Sequence, residues 1–137
     1  IASEALPDSL TVEEKSLVKR AADKYRDIMK VNCSGCGYCM PCPAGVNIPS
    51  CFEVYNKMHL FGNSEEGKNS YVVKMSGITR RGESNYASQC VECGKCLKKC
   101  PQGLDIPLLL KDVVAELEGP DLEERALEMA RRMNINS

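Results

Sequence analysis

The chain has 137 residues, 18 basic and 19 acidic side chains, a net charge of −1 and a pI near 5.9. That is the length of one ordinary domain, and a charge so close to zero gives no electrostatic basis for binding nucleic acid. No apolar run approaches the roughly 18 residues that span a bilayer, and the opening IASEALPDSL lacks the basic start and apolar centre of a signal peptide, so the expectation is a soluble, cytoplasmic protein.

The chain begins at Ile1, not Met, from which we expect a piece cut from a longer protein. Thr11-Val12-Glu13-Glu14 fits a capping box, and Leu17, Val18, Ala21, Tyr25, Ile28 and Met29 form one apolar stripe. An amphipathic helix is therefore expected over residues 11 to 30. Residues 33 to 50 are a Cys, Gly and Pro stretch without period, shaped by whatever the cysteines bind. Pro49 suits the first turn of a second helix, which presents Phe52, Tyr55 and Met58 and stops at Gly62. Ser64 to Gly77 reads as a weaker helix, because Gly67 interrupts it and Tyr71-Val72-Val73 would also suit a short strand. Residues 78 to 89 read as a polar loop. After a second Cys and Pro stretch, a helix starts at Pro107 with Leu109, Leu110, Val113, Val114 and Leu117 on its buried side, and Gly119-Pro120 ends it. A last helix runs from Asp121 to Met133, with Leu122, Ala126, Met129 and Met133 on one side, before a frayed tail.

An internal repeat organises this pattern. Cys42-Pro43-Ala44-Gly45-Val46-Asn47-Ile48-Pro49 matches Cys100-Pro101-Gln102-Gly103-Leu104-Asp105-Ile106-Pro107 at an offset of 58 residues. The chain thus carries two copies of one unit: a cysteine run, a turn, and a helix opened by Ile-Pro.

The second run, Cys90-x2-Cys93-x2-Cys96-x3-Cys100-Pro101, has the spacing associated with 4Fe-4S clusters. Two intervening residues let a tight loop offer three thiolates to three corners of a cube, and in two-cluster proteins the fourth ligand is the Cys-Pro of the other run. Applied here, Cys33, Cys36 and Cys39 pair with Cys100, and Cys90, Cys93 and Cys96 pair with Cys42. The first run has two residues, not three, before its Cys-Pro, so a local set of Cys36, Cys39 and Cys42, with Cys33 reaching the second cluster, stays open. Two zinc ions could also take eight thiolates, although zinc ribbons use separated Cys pairs and not tight quartets ending in Cys-Pro. Disulfides do not suit neighbouring C-x2-C thiols in a reducing compartment, and a Rieske centre needs two His where the chain has only His59.

Cys51 stands outside the repeat and reads as a small buried apolar residue, His59 receives no role, and Lys95, Lys98 and Lys99 read as a solvated charge run. Fully ligated irons leave no open position for substrate, which points to electron transfer and away from Lewis-acid catalysis. Cross-links between distant cysteines would also compensate a core with no Trp and two Phe.

The strings Cys33 to Pro49, containing GYCMPCP, and Cys90 to Pro107, preceded by the Thr-x-Glu-Glu helix start, resemble the C-terminal ferredoxin extension of iron-sulfur aldo/keto reductase-like oxidoreductases over residues 10 to 118. The resemblance implies a mainly α, helical ferredoxin-type domain with little or no β structure, built around two 4Fe-4S clusters. It also implies a leading helix over 1–32 as the junction to an upstream reductase barrel, a dicluster domain over 33–118, and a C-terminal helix and tail over 119–137. The partner would be that barrel or a separate redox protein. That family's catalytic Asp, Tyr, Lys and His belong to the barrel and have no counterpart here. The competing expectation is a zinc-binding structural or interaction module without redox activity.

Overall fold

In a computed structural model, residues 9–80 and 82–133 are described. The first eight residues, Arg81 of the expected polar loop and the expected frayed tail from 134 onward lie outside the described residues. Five α-helices form among the described residues: α1 (Val12–Ile28), α2 (Ile48–Phe61), α3 (Ser64–Met75), α4 (Ile106–Leu117) and α5 (Leu122–Arg132). Two short 3-10 turns lie at Ala87–Gln89 and Leu97–Lys99, and there is no strand among the described residues. The architecture is mainly α, as expected.

The capping box of α1 forms as the sequence predicts: the Glu14 N–H donates to Thr11 Oγ1 at 3.2 Å and the Thr11 N–H to Glu14 Oε2 at 2.7 Å. The buried stripe does not. No residue of α1 is buried, and Leu17, Val18 and Tyr25 keep 60%, 57% and 57% of their surface exposed. Among the helices, α1 packs on α2, and a groove lined by Tyr25 and Met29 against Pro49, Asn56 and Leu60 puts that contact at its C-terminal end. The stripe is present without an opposing surface along its length.

The core lies between α2, α3 and α4. Phe52, Cys51, Tyr71, Met75 and Val113 are fully buried there, with Val46, Ile48, Ile106, Leu110 and Leu117 around them. Gly62 ends α2 in the left-handed conformation at φ 65°, and the Asn63 side chain then caps α3 by accepting from the Glu66 N–H at 3.1 Å. These two signals settle residues 64–75 as helix against the strand alternative, and Tyr71 and Met75, four apart, share its buried face. The interrupting Gly67 has a packing reason, because a Cβ there would sit 2.6 Å from Cγ and 2.8 Å from Cβ of Met58 on α2. Gly67→Ala gains about 1 kcal/mol of helix propensity and incurs overpacking of about 1–3 kcal/mol. A net loss of about 1 kcal/mol is expected in urea denaturation, and a stabilised variant would contradict the close approach.

On α5 the expected stripe is only half-buried at Leu122, Ala126 and Met129, and exposed at Met133. Polar contacts dock this helix instead: Arg125 reaches Glu65 and Asn69 of α3, both at 2.9 Å, and Asp121 at 2.7 Å. The loop before the second cysteine run is pinned as well. Asn85 donates its N–H to the Met75 carbonyl at 2.7 Å and its side-chain amide to the Gly45 carbonyl at 2.9 Å, which fastens it to the first copy of the repeat.

Candidate metal centre

The two cysteine runs share a backbone signature. Gly35 and Gly37, at φ 71° and 76°, flank Cys36, while Glu92 and Gly94, at φ 53° and 70°, flank Cys93 in the same places. Left-handed residues before and after the middle cysteine turn the chain back on itself and form a concavity of N–H groups suited to negative sulfur. One such bond is visible, from the Gly35 N–H to Cys33 Sγ at 3.4 Å. Glu92 accepts a conformation that ordinarily favours glycine and is held by Lys111, 3.0 Å from its carboxylate.

The copies diverge where their spacing differs. A cis Met40–Pro41 bond lies between Cys39 and Cys42, and the 3-10 turn Leu97–Lys99 lies between Cys96 and Cys100. They then converge again: Asn47 and Asp105 cap α2 and α4 by accepting from the Ser50 and Leu108 N–H groups. Both helices open at the Ile, one residue before the expected Pro, because these two caps fix the start. The caps stand at equivalent repeat positions, a signal present in the sequence that the Ile-Pro reading passed over.

The thiols gather around two cavities. One is lined by Cys42, Cys90, Cys93 and Cys96 together with Pro43, Pro107 and Leu110, and measures about 310 Å³. The other is lined by Cys33, Cys36, Cys39 and Cys100 with Phe52, Leu104 and Ile106. Cys39 and Ile48 border both, so a single layer of side chains separates them. The thiol of Cys96 is pushed up by burial, with Cys90, Cys93 and Cys42 adding repulsion between thiolates, and that of Cys39 by burial with Cys33, Cys36 and Cys96 adding theirs. Cys36 and Cys93 are exposed and the other six of the eight partly buried.

Each run is anchored just upstream of its first cysteine by a polar side chain from the helical scaffold. Asn56 of α2 accepts the Val31 N–H at 2.9 Å and donates to the Val31 carbonyl at 2.8 Å, inside the core and two residues before Cys33. Tyr71 of α3 accepts the Ala87 N–H at 2.8 Å and donates to Glu118, which also accepts the Ser88 N–H at 3.1 Å, just before Cys90. Burial, then the neighbouring Cys51 and the Glu118 bond, hold the Tyr71 phenol far above its ordinary pKa, so it stays a hydrogen-bond donor. Neither anchor was visible in the sequence, where Asn56 and Tyr71 are single residues 25 and 16 positions from their partners. Tyr71→Phe leaves the buried Ala87 N–H without its acceptor and is expected to cost about 1–3 kcal/mol, read as a lower urea midpoint. An unchanged midpoint would mean that water replaces the phenol.

The remaining candidates stay apart from the cavities. Cys51 is fully buried beside Tyr71 and Met75, and burial pushes its thiol up to about 12, so it is a protonated packing residue. His59 packs edge-on to Tyr55, with Nε2 2.8 Å from Glu116 Oε2 but off the line of a hydrogen bond. No helix among the described residues is long and apolar enough to cross a membrane.

The donor set fits iron–sulfur clusters. Cys42, Cys90, Cys93 and Cys96, with Cys39 at the border, line one cavity, and Cys33, Cys36, Cys39 and Cys100 line the other, so thiols predominate among the donors, as such clusters require. The Cys33 cavity is the narrower, at about 20 Å³, and Cys36 in its lining is exposed. No curated protein and no solved structure matches the chain. Residues 32–104, more than half of it, match the family model described as a 4Fe-4S dicluster domain, and this span contains all eight cysteines of the two cavities. That match favours iron–sulfur binding over zinc, and with the helical fold it shows that the chain belongs to the 4Fe-4S dicluster domain family.

Proposed function

We propose that the chain passes single electrons through two 4Fe-4S clusters, one held by Cys33, Cys36, Cys39 and Cys100 and the other by Cys90, Cys93, Cys96 and Cys42. The observation that carries this reading is that each of two cavities gathers three cysteines from one run and the Cys-Pro cysteine of the other, with Cys39 on the wall between them. A bound 4Fe-4S cluster supplies reversible one-electron oxidation and reduction. The residues hold and tune it. The left-handed loops aim N–H groups at sulfur, Ile48, Phe52, Leu104 and Ile106 keep water from the first site, and the shared wall of Cys39 and Ile48 keeps the path between sites short.

The wider setting in this proposal is a cytoplasmic oxidoreductase of the aldo/keto reductase type. Residues 33–118 are its dicluster unit, α1 is the junction to the barrel, and 119–137 is an added helix and tail. The GYCMPCP string supports this setting, and so does the uncovered apolar stripe of α1, which a neighbouring domain would bury. The mass of the native gene product tests it: a chain with no room for a barrel removes this part of the reading and leaves the electron-transfer part standing.

The central test is anaerobic purification with iron and acid-labile sulfide analysis. About eight of each per chain, a brown colour bleached by dithionite, and an EPR spectrum split by interaction between two reduced clusters are expected. A colourless protein containing zinc would overturn the proposal.

A further inference from the structure

The two cysteine loops differ in charge. No charged residue occurs from Cys33 to Phe52, whereas the ten residues following Cys90 include Lys95, Lys98 and Lys99 and a single acid, Glu92. Glu92 is bonded to Lys111 at 3.0 Å, so it does not neutralise the others. Lys57 and Lys74 share Glu53, and Arg125 is held by Glu65 and Asp121, but no ion pair among the described residues engages Lys95, Lys98 or Lys99. All three are exposed and line a shallow depression together with the exposed Cys93. Val91 and Leu97, 69% and 42% exposed, belong to the same loop, Val91 lining the neighbouring cavity with Lys95 and Lys99 and Leu97 standing against Gly94. The chain as a whole carries a net charge of −1, so the positive patch is local.

Unpaired cations next to exposed apolar side chains form the pattern of a surface that steers an oppositely charged partner and then excludes water from the contact. One-electron exchange falls steeply with distance, and the patch lies where a cysteine of the second site reaches the surface. Resting on the electron-transfer reading above, we propose that the face formed by Lys95, Lys98, Lys99, Val91 and Leu97 docks an acidic one-electron carrier protein. Electrons then cross by way of the Cys90, Cys93, Cys96 and Cys42 site. The exchange is balanced: one partner loses one electron, the other gains it, and no bond or proton moves. The uncharged loop around Cys36 and the exposed Tyr38 has no such selectivity for charge.

The test compares Lys98→Glu/Lys99→Glu with a double of equal charge change on α1, Lys19→Glu/Lys24→Glu, after iron analysis of each protein. Acidic flavodoxin is the protein probe, its binding followed by calorimetry. Substoichiometric ferricyanide and a cationic cobalt(III) complex are the small oxidants, mixed rapidly with dithionite-reduced protein. Flavodoxin binding is expected to weaken about tenfold or more in the loop double relative to the α1 double, and to weaken with salt. Oxidation by ferricyanide should slow with rising salt, and oxidation by the cobalt complex should not. Equal behaviour of the two doubles, absence of flavodoxin binding, or the opposite salt dependence would overturn the docking face. A protein without iron overturns the electron-transfer reading instead, and the calorimetry still judges the surface by itself.

Discussion

Cys42→Ala, alone or with Cys93→Ala, is expected to retain about four of about eight irons, whereas Cys42→Ala with Cys36→Ala is expected to retain almost none. The reason is the proposed exchange of ligands between runs. Cys42 lines the cavity of Cys90, Cys93 and Cys96, so a second substitution there strikes a cluster already lost, while one at Cys36 strikes the other. The pattern is a double-mutant cycle in which coupling marks a shared site. If Cys36, Cys39 and Cys42 held one cluster locally, the order of the two doubles would reverse. Cys100→Ala gives the mirror result, sparing the second site. Iron and sulfide analysis of the purified variants reads the outcome, and it is the ranking of the doubles that decides.

Asn56→Leu should produce the largest loss of stability among single substitutions outside the cysteines. Leucine nearly conserves the volume but strips the Val31 N–H and carbonyl of the Asn56 hydrogen bonds they make inside the core, at 2.9 and 2.8 Å. Two buried backbone groups left unsatisfied cost about 1–3 kcal/mol each, a large share of the roughly 5–15 kcal/mol that a domain possesses. Asn56→Asp keeps the acceptor for the N–H and brings a charge against the carbonyl, so it should rescue little. Because Val31 precedes Cys33 by two residues, the damage should also be local: iron release to a chelator should accelerate first from the Cys33 site. A urea midpoint unchanged within error, or equal acceleration at both sites, would remove Asn56 from the role of positioning residue for that loop.

Much of the site could be read without coordinates because its chemistry is written in local spacing. Thiols with two residues between them must face a common centre once the chain turns, and Gly35, Gly37 and Gly94 supply the turns. The same locality made the helices legible, since a Thr-x-x-Glu start and Ile-Pro openings act over four residues. It failed at α1, where periodicity establishes that an apolar face exists but not that anything covers it. It wavered at Gly67, whose reason is a methionine on another helix.

By itself the sequence determined the donor type, the number of thiols in the repeat, the helical class and the break in spacing between the two runs. These follow from covalent order and from interactions within one or two turns. The spacing left two pairings open, and only the tertiary structure places Cys42 in the cavity of Cys90, Cys93 and Cys96 and Cys100 in that of Cys33 and Cys36, because that depends on how α2 and α4 pack. It also decided that Asn56 and Tyr71 hold the loops in place, and that three lysines near Cys93 have no ion pair among the described residues while Lys57, Lys74 and Lys111 do. Each of these is a relation between residues far apart in the chain, and only the cost of burying unpaired polar groups and the gain from packing apolar ones bring them together.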